Sequence, residues 1–186
     1  MKILLALCVA LCLAGTWAAD DGKVRRCKPV SFTAIGFDPV TLTRYRYSSD
    51  VSRSLVLIED NLSDDWVLTK SKNFVVYNYT NGQCTYTKNH PTLESGSKSA
   101  RDSATELYKY ETSDGRKYTA MTFDIADTVF AGLFDENCVA TVATNSKNGV
   151  AVSISIFIGA NTDNPDFTSL NEKLAITQDP SQCTEA

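Results

Sequence analysis

The sequence predicts a mainly-β domain, built as an antiparallel meander, a sandwich or an open barrel. Three observations lead there. Apolar residues recur with a period of two along most of the chain, those segments are rich in β-branched residues and tyrosine, and short turn signals separate them. The clearest strand is Val150–Ile158, where Val150, Val152, Ile154, Ile156 and Ile158 project to one face and Ala151, Ser153 and Ser155 to the other.

Taken in order, the earlier strands are expected at Val30–Phe37, Thr41–Tyr47, Ser54–Glu59, Trp66–Lys70, Phe74–Thr80 and Gln83–Thr87. A polar stretch with Pro91, Asn89 to Ser103, reads as a long loop. Strands resume at Ala104–Glu111, Lys117–Phe123, Thr128–Phe134 and Cys138–Ala143. Asp38-Pro39, Asn81-Gly82, Asp114-Gly115 and Asn148-Gly149 mark the turns, and the three X-Gly pairs suit tight hairpins that need positive φ. The segment Phe167 to Ile176 fits a short helix or a last strand equally well.

The first residues set the compartment. Lys2 is followed by an apolar run from Ile3 to Ala14, and Thr16 and Ala18 are small residues where a signal peptidase cuts. The run is too short for a bilayer core of about 30 Å, so residues 1–18 are expected to be a secretory signal peptide and 19–186 a single secreted domain. No later segment is long and uncharged enough to span a membrane. Removing 18 residues from 186 leaves a mature chain of 168, long enough for a real core. Without Lys2 it carries 17 basic and 22 acidic residues, a net charge near −5. That balance argues against nucleic acid and against a strongly anionic membrane surface as partner.

Cys8 and Cys12 leave with the leader. Cys27, Cys84, Cys138 and Cys183 remain, an even number in an oxidising compartment, so two disulfides are expected. Spacing alone does not choose among their three connectivities. The separations of 57, 54 and 45 residues provide none of the close pairs that a zinc site needs. Asn61-Leu62-Ser63 and Asn78-Tyr79-Thr80 are glycosylation sequons, placing candidate glycans at Asn61 in a turn and Asn78 near a strand end.

Catalytic chemistry is hard to find. The one histidine, His90, has no nucleophile motif beside it, and the cysteines are expected to be bridged. The acidic pairs Glu59-Asp60, Asp64-Asp65 and Asp135-Glu136 fall at strand ends, where solvated charges are normal, and none has EF-hand spacing. No phosphate-binding glycine loop is present, and neither a cofactor nor a catalytic residue is expected. A sheet assembly of this size can enclose a cavity, and the tyrosines on its strands are either cavity lining or ordinary cross-strand packing. The ligand-pocket candidates are Tyr77, Tyr118, Val152, Ile154 and Ile156.

Three segments resemble the ependymin-related family of secreted glycoproteins. They are Phe74-Val-Val-Tyr-Asn-Tyr-Thr-Asn-Gly-Gln-Cys84, Phe134-Asp-Glu-Asn-Cys-Val139, and Asp179-Pro180-Ser181 followed by Cys183. Cys27-Lys-Pro29 also sits where that family places its first cysteine. The chain departs from the pattern at Ala140, where the family has proline, at Gln182, which stands alone before the last cysteine, and in lacking two further cysteines. The resemblance implies pairing of Cys27 with Cys138 and of Cys84 with Cys183. It also implies two curved antiparallel sheets stacked around an apolar pocket, and binding of a lipid or other hydrophobic small molecule. Calcium binding and a homodimer are further implications. A lipocalin-type carrier is the nearest rival, although its early Gly-x-Trp signature is missing. An extracellular matrix or adhesion glycoprotein without a small ligand is the rival from another class.

Overall fold

The computed structural model describes residues 30–90, 105–125, 128–136, 139–147 and 150–186. The expected signal peptide, Cys27, Cys138, the expected Asn148-Gly149 turn and all of the expected loop beyond His90 lie outside these residues. The first six strands are Phe32–Asp38 (β1), Thr43–Asp50 (β2), Leu55–Asp60 (β3), Trp66–Lys70 (β4), Val75–Thr80 (β5) and Gln83–Thr87 (β6). Five more follow at Thr105–Glu111 (β7), Lys117–Ile125 (β8), Thr128–Asp135 (β9), Ala140–Lys147 (β10) and Val150–Asn161 (β11). The segment that fits helix or strand equally in sequence is a helix, α1, Thr168–Ile176, and a three-residue strand, β12, Cys183–Glu185, ends the chain.

The strands form one hydrogen-bonded sheet in the order β12-β6-β5-β4-β3-β2-β1-β11-β10-β9-β8-β7. The mainly-β class is as the sequence predicts. What reads as two antiparallel sheets is a pair of meanders, β1 to β6 and β7 to β11, joined side by side through the antiparallel β1·β11 pair. The order runs from β12 to β7 without closing, so the sheet is open rather than a lipocalin-type closed barrel. One pair is parallel: β12 lies along β6, with Cys183 opposite Cys84.

Turn chemistry makes the meanders. At the β5–β6 hairpin Asn81 has φ 53° and Gly82 φ 78°, so both central residues are left-handed, as a primed two-residue turn requires. The β1–β2 turn is held by Asp38, whose Oδ1 accepts the N–H groups of Val40 (2.8 Å) and Thr41 (3.2 Å). At the β9–β10 turn Asp135 Oδ1 accepts the N–H of Val139 at 2.8 Å, and the Val139 side chain is buried.

Cross-strand register sorts the side chains onto two faces. One carries an aromatic cluster on β1, β2 and β11: the Phe32 and Tyr47 rings stack at 5.3 Å, and Phe157 meets Tyr47 edge-on at 5.5 Å. Tyr45 belongs to the same cluster and donates its O–H to Ser155 Oγ at 2.7 Å. Burial pushes the Tyr45 phenol up to about 12, against the lowering effect of the Ser155 bond, so it stays protonated at all physiological pH. The Tyr45 ring lies over Gly36, its partner across the β1·β2 ladder. A Cβ on Gly36 would come within 2.0 Å of that ring. Gly36→Ala is therefore expected to destabilise the fold by about 1–3 kcal/mol through overpacking, read as a lower midpoint in thermal denaturation. An unchanged midpoint would show that the ring can move aside at no cost.

Candidate functional site

The second face, called here the helical face, carries α1 over one half of the sheet. Leu55 and Leu57 on β3, Trp66 and Leu68 on β4, and Leu170 on α1 are buried together there. Tyr77, Tyr79 and Tyr86 pack around them. Trp66 stacks on Tyr79 at 5.3 Å with nearly parallel rings, and Tyr77 meets Tyr86 at 5.4 Å. Each fully buried leucine contributes about 1.5–3 kcal/mol.

The cluster is closed by the Cys84–Cys183 disulfide, which spans 99 residues of sequence and joins cysteines whose Cα atoms lie 4.5 Å apart. It bonds the edge strand β12 to β6 and anchors the chain end beyond α1. Asp179-Pro180-Ser181 leads into β12 as a turn: Asp179 Oδ1 accepts from the Ser181 N–H and Oγ, and Oδ2 from Gln182 Nε2 at 3.0 Å. In the chain-entropy model a loop of this length gives the bridge about 4 kcal/mol of stabilisation. Cys183→Ser is expected to lower stability by roughly that amount and to release β12, seen as faster amide exchange at Thr184 and Glu185. Retained protection there would mean that the parallel pairing holds without the bridge.

A polar clamp fixes the start of α1. Asp50, at the end of β2, is buried; its Oδ1 accepts from Ser52 Oγ and the Arg53 N–H, and its Oδ2 from Arg53 Nε. Arg53 in turn donates from Nη1 to Asn171 Oδ1 on α1 at 2.7 Å and lies over the Phe167 ring. Burial alone would raise the Asp50 carboxyl. The bonds from Ser52 and Arg53 outweigh it and hold the group below the usual carboxylate range. A depressed folded-state value means that this stabilisation is present above pH about 4 and is lost as pH falls through the folded value. Acid titration of the wild type is expected to weaken the fold over that window. Asp50→Asn should flatten this part of the profile; an unaltered profile in the variant would assign the acid sensitivity elsewhere.

The other half of the helical face, on β1 and β8 to β11, carries an apolar row of mostly half-buried side chains. In cross-strand register Leu133 faces Val142, Val142 faces Ile156, and Ile156 faces Phe37. The next row toward the helix holds Ile158, which is 59% exposed, beside Ile35. β1 is therefore apolar on both faces, whereas β11 brings Phe157 and the buried Ser155 to the aromatic face, which is the buried one. The row continues from Ile35 through Arg46 and Glu59 to Trp66, so the open half and the helix-covered half are one surface.

Of the pocket candidates, Ile154 and Ile156 lie on this open half, and Tyr118 on β8 lies on the same face opposite Asp135. Val152 is on β11, and its side chain lies outside the described residues. Tyr77 is on the helical face too but belongs to the α1 cluster, with four strands between β5 and β11. The sheet order, invisible in local periodicity, separates it from the isoleucines. Sequence reasoning missed Phe37, Val142 and Leu133 as neighbours of Ile156, because only strand register reveals them.

The remaining candidates are spread over the molecule. Asn61 is exposed in the β3–β4 turn, whereas Asn78 sits half-buried in β5, two residues before its end. His90 donates its N–H to the Phe74 carbonyl at 2.8 Å, and burial lowers its pKa, which favours the neutral ring. Among the described residues no three His, Cys, Asp or Glu side chains gather as a metal site, and no helix is long and apolar enough to cross a membrane. Asp60 and Asp65 instead accept turn N–H groups, from Leu62 at 2.8 Å and Asn81 at 3.2 Å.

No protein-family model matches the sequence, and no curated protein matches it either. Solved structures do match the fold. An uncharacterized conserved protein from Thermus thermophilus superposes with a TM-score of 0.56 at 9% identity, covering 100% of both chains. PNGF-II in its C2 crystal form superposes with a TM-score of 0.51 at 9% identity, covering 84% of this chain and 31% of that one. At such identities the likeness is one of fold alone.

Proposed function

We propose that this is a secreted carrier of a lipid or other hydrophobic molecule, of the ependymin-related kind, with no catalytic step of its own. The observation that carries the reading is the apolar half of the helical face, where Ile156, Val142 and Leu133 line up beside the 59%-exposed Ile158. An exposed apolar surface of this kind ordinarily meets a partner or ligand. Support for secretion comes from the leader-like residues 1–18 and from the Cys84–Cys183 bridge, since such bridges persist in oxidising compartments. That bridge is also one of the two pairings the family resemblance implies; the other, Cys27 with Cys138, is part of the proposal. Tyr118 belongs to the edge of the binding surface in this reading, and Asn61 is the better placed glycan site.

Native mass spectrometry of protein purified from its source should show a co-purifying apolar molecule, and a neutral fluorescent lipid probe should bind the emptied protein. Ile156→Asp is expected to weaken probe binding at least tenfold, since a carboxylate would replace apolar contact. Absence of both a co-purifying molecule and probe binding would overturn the carrier reading. Peptide mapping without reductant should join Cys27 to Cys138. A free Cys27, or one joined elsewhere, would remove the family assignment and leave the carrier reading standing.

A further inference from the structure

We propose that the carried molecule is a single-chain carboxylic acid, its tail along the open row of the helical face and its carboxylate bound by Arg44, with Arg46 beside it. This rests on the carrier reading above and names its ligand class. The row places one side chain per strand, Ala120, Leu133, Val142, Ile156, Phe37 and then Arg44, each opposite the next in the ladder. At about 4.8 Å per strand the five steps cover roughly 24 Å, the reach of an extended long acyl chain with its headgroup. No charged residue interrupts the row before Arg44. A long apolar track that ends in one cationic side chain is complementary to a long tail that ends in one anion.

The width of the track argues for one tail rather than two. On the side away from α1 the next row is Thr122, Ala131, Thr144 and Ile154, where hydroxyls interrupt the apolar surface. On the helix side the next row holds, among the described residues, Tyr118 and Asp135 and then Ile158 and Ile35 before Arg46 and Glu59 begin. A two-tailed lipid would have to lay its second chain over threonine hydroxyls or charges.

The charges around the head position favour an anion. Arg44 and Arg46 are both exposed, and the Arg44 side chain makes no hydrogen bond or ion pair among the described residues. Arg46 feels the charge of Asp166, but that carboxylate is first engaged by the Thr168 N–H at 3.0 Å. Glu59, opposite Arg46 in the ladder, accepts a hydrogen bond from Ser169 on α1. A guanidinium presents a planar fork of donors that suits a carboxylate's two oxygens, and among the described residues nothing occupies the fork of Arg44.

The test compares palmitic acid, its methyl ester and hexadecanol as competitors of a neutral lipid probe on the full-length secreted protein at pH 7.5. The acid should bind about 10- to 100-fold tighter than the alcohol, as a charge-assisted contact predicts. Arg44→Gln should remove most of that difference by weakening the acid more than the alcohol; Arg46→Gln should remove less. Both positions are exposed, so an intact Cys84–Cys183 bridge and an unshifted denaturation midpoint certify the folded variants. Equal binding of acid and alcohol overturns the carboxylate assignment while the carrier reading survives. If none of the three competes while the probe still binds, the single-chain assignment is wrong and the carrier reading survives; if the probe does not bind and no apolar molecule co-purifies, the carrier reading falls too. If sedimentation instead shows a dimer that Ile156→Asp splits and palmitate does not, the row is an interface between copies and the proposal is wrong.

Discussion

The pairing of β1 with β11 is the constraint on which the rest of the molecule depends. Each meander is paired internally through its own hairpins, but only this ladder, with Ile35 opposite Ile158 and Phe37 opposite Ile156, makes them one sheet. It brings the most apolar strand of the second meander against the first strand of the first. The register shifts between Thr33 and Ile35, and such bulges bend a strand and increase its twist. The join leaves apolar side chains on both faces of β1, so both faces need cover. One face is met by Phe32, Tyr47 and Phe157 packing on one another. The other is the open row ending at Arg44.

The helix and the disulfide act on the far half of that same surface. From β11 in the middle of the sheet the chain passes through α1 to β12 at the edge, beyond β6. Leu170 buries itself against Leu57 and Leu68, the Asp50–Arg53–Asn171 clamp holds the beginning of α1, and Cys84–Cys183 holds its far end. The clamp and the bridge lie at opposite ends of the helix, so α1 is restrained along the direction in which it could slide. The helical face is divided as a result: β3 to β6 are covered, and β1 with β8 to β11 are left for something else. Arg46 and Glu59 mark the boundary.

Much of this is legible where a local rule suffices. Asn81-Gly82 announces its hairpin because few residue pairs accept two successive positive φ values. The alternation in Val150–Ile158 announces β11, which extends to Asn161 as the strand outlasts its apolar pattern. The family-like segments turn out to have physical content: Asp135 ties Val139 across a turn, and Asp179 ties Ser181 and Gln182 just before the bridged Cys183. Strand β12 is not legible, since three residues carry no period, and its place is set by the bridge and the β6 edge. Residue type groups Tyr77 with Ile154 and Ile156, and only the strand order shows that it serves the α1 cluster.

The sequence by itself determined the class of the molecule, its hairpins and the residues able to be bridged, because these follow from interactions within a few positions of one another. Which side chains share a surface was decided by the tertiary structure alone. Phe37 and Arg44 are hairpin neighbours, but Ile156, Val142 and Leu133 come to them only through the β1–β11 join, across more than a hundred residues of chain. No local periodicity encodes that register. It is selected by burying two apolar strands against each other, and with it the molecule acquires a long apolar row with a cation at the end.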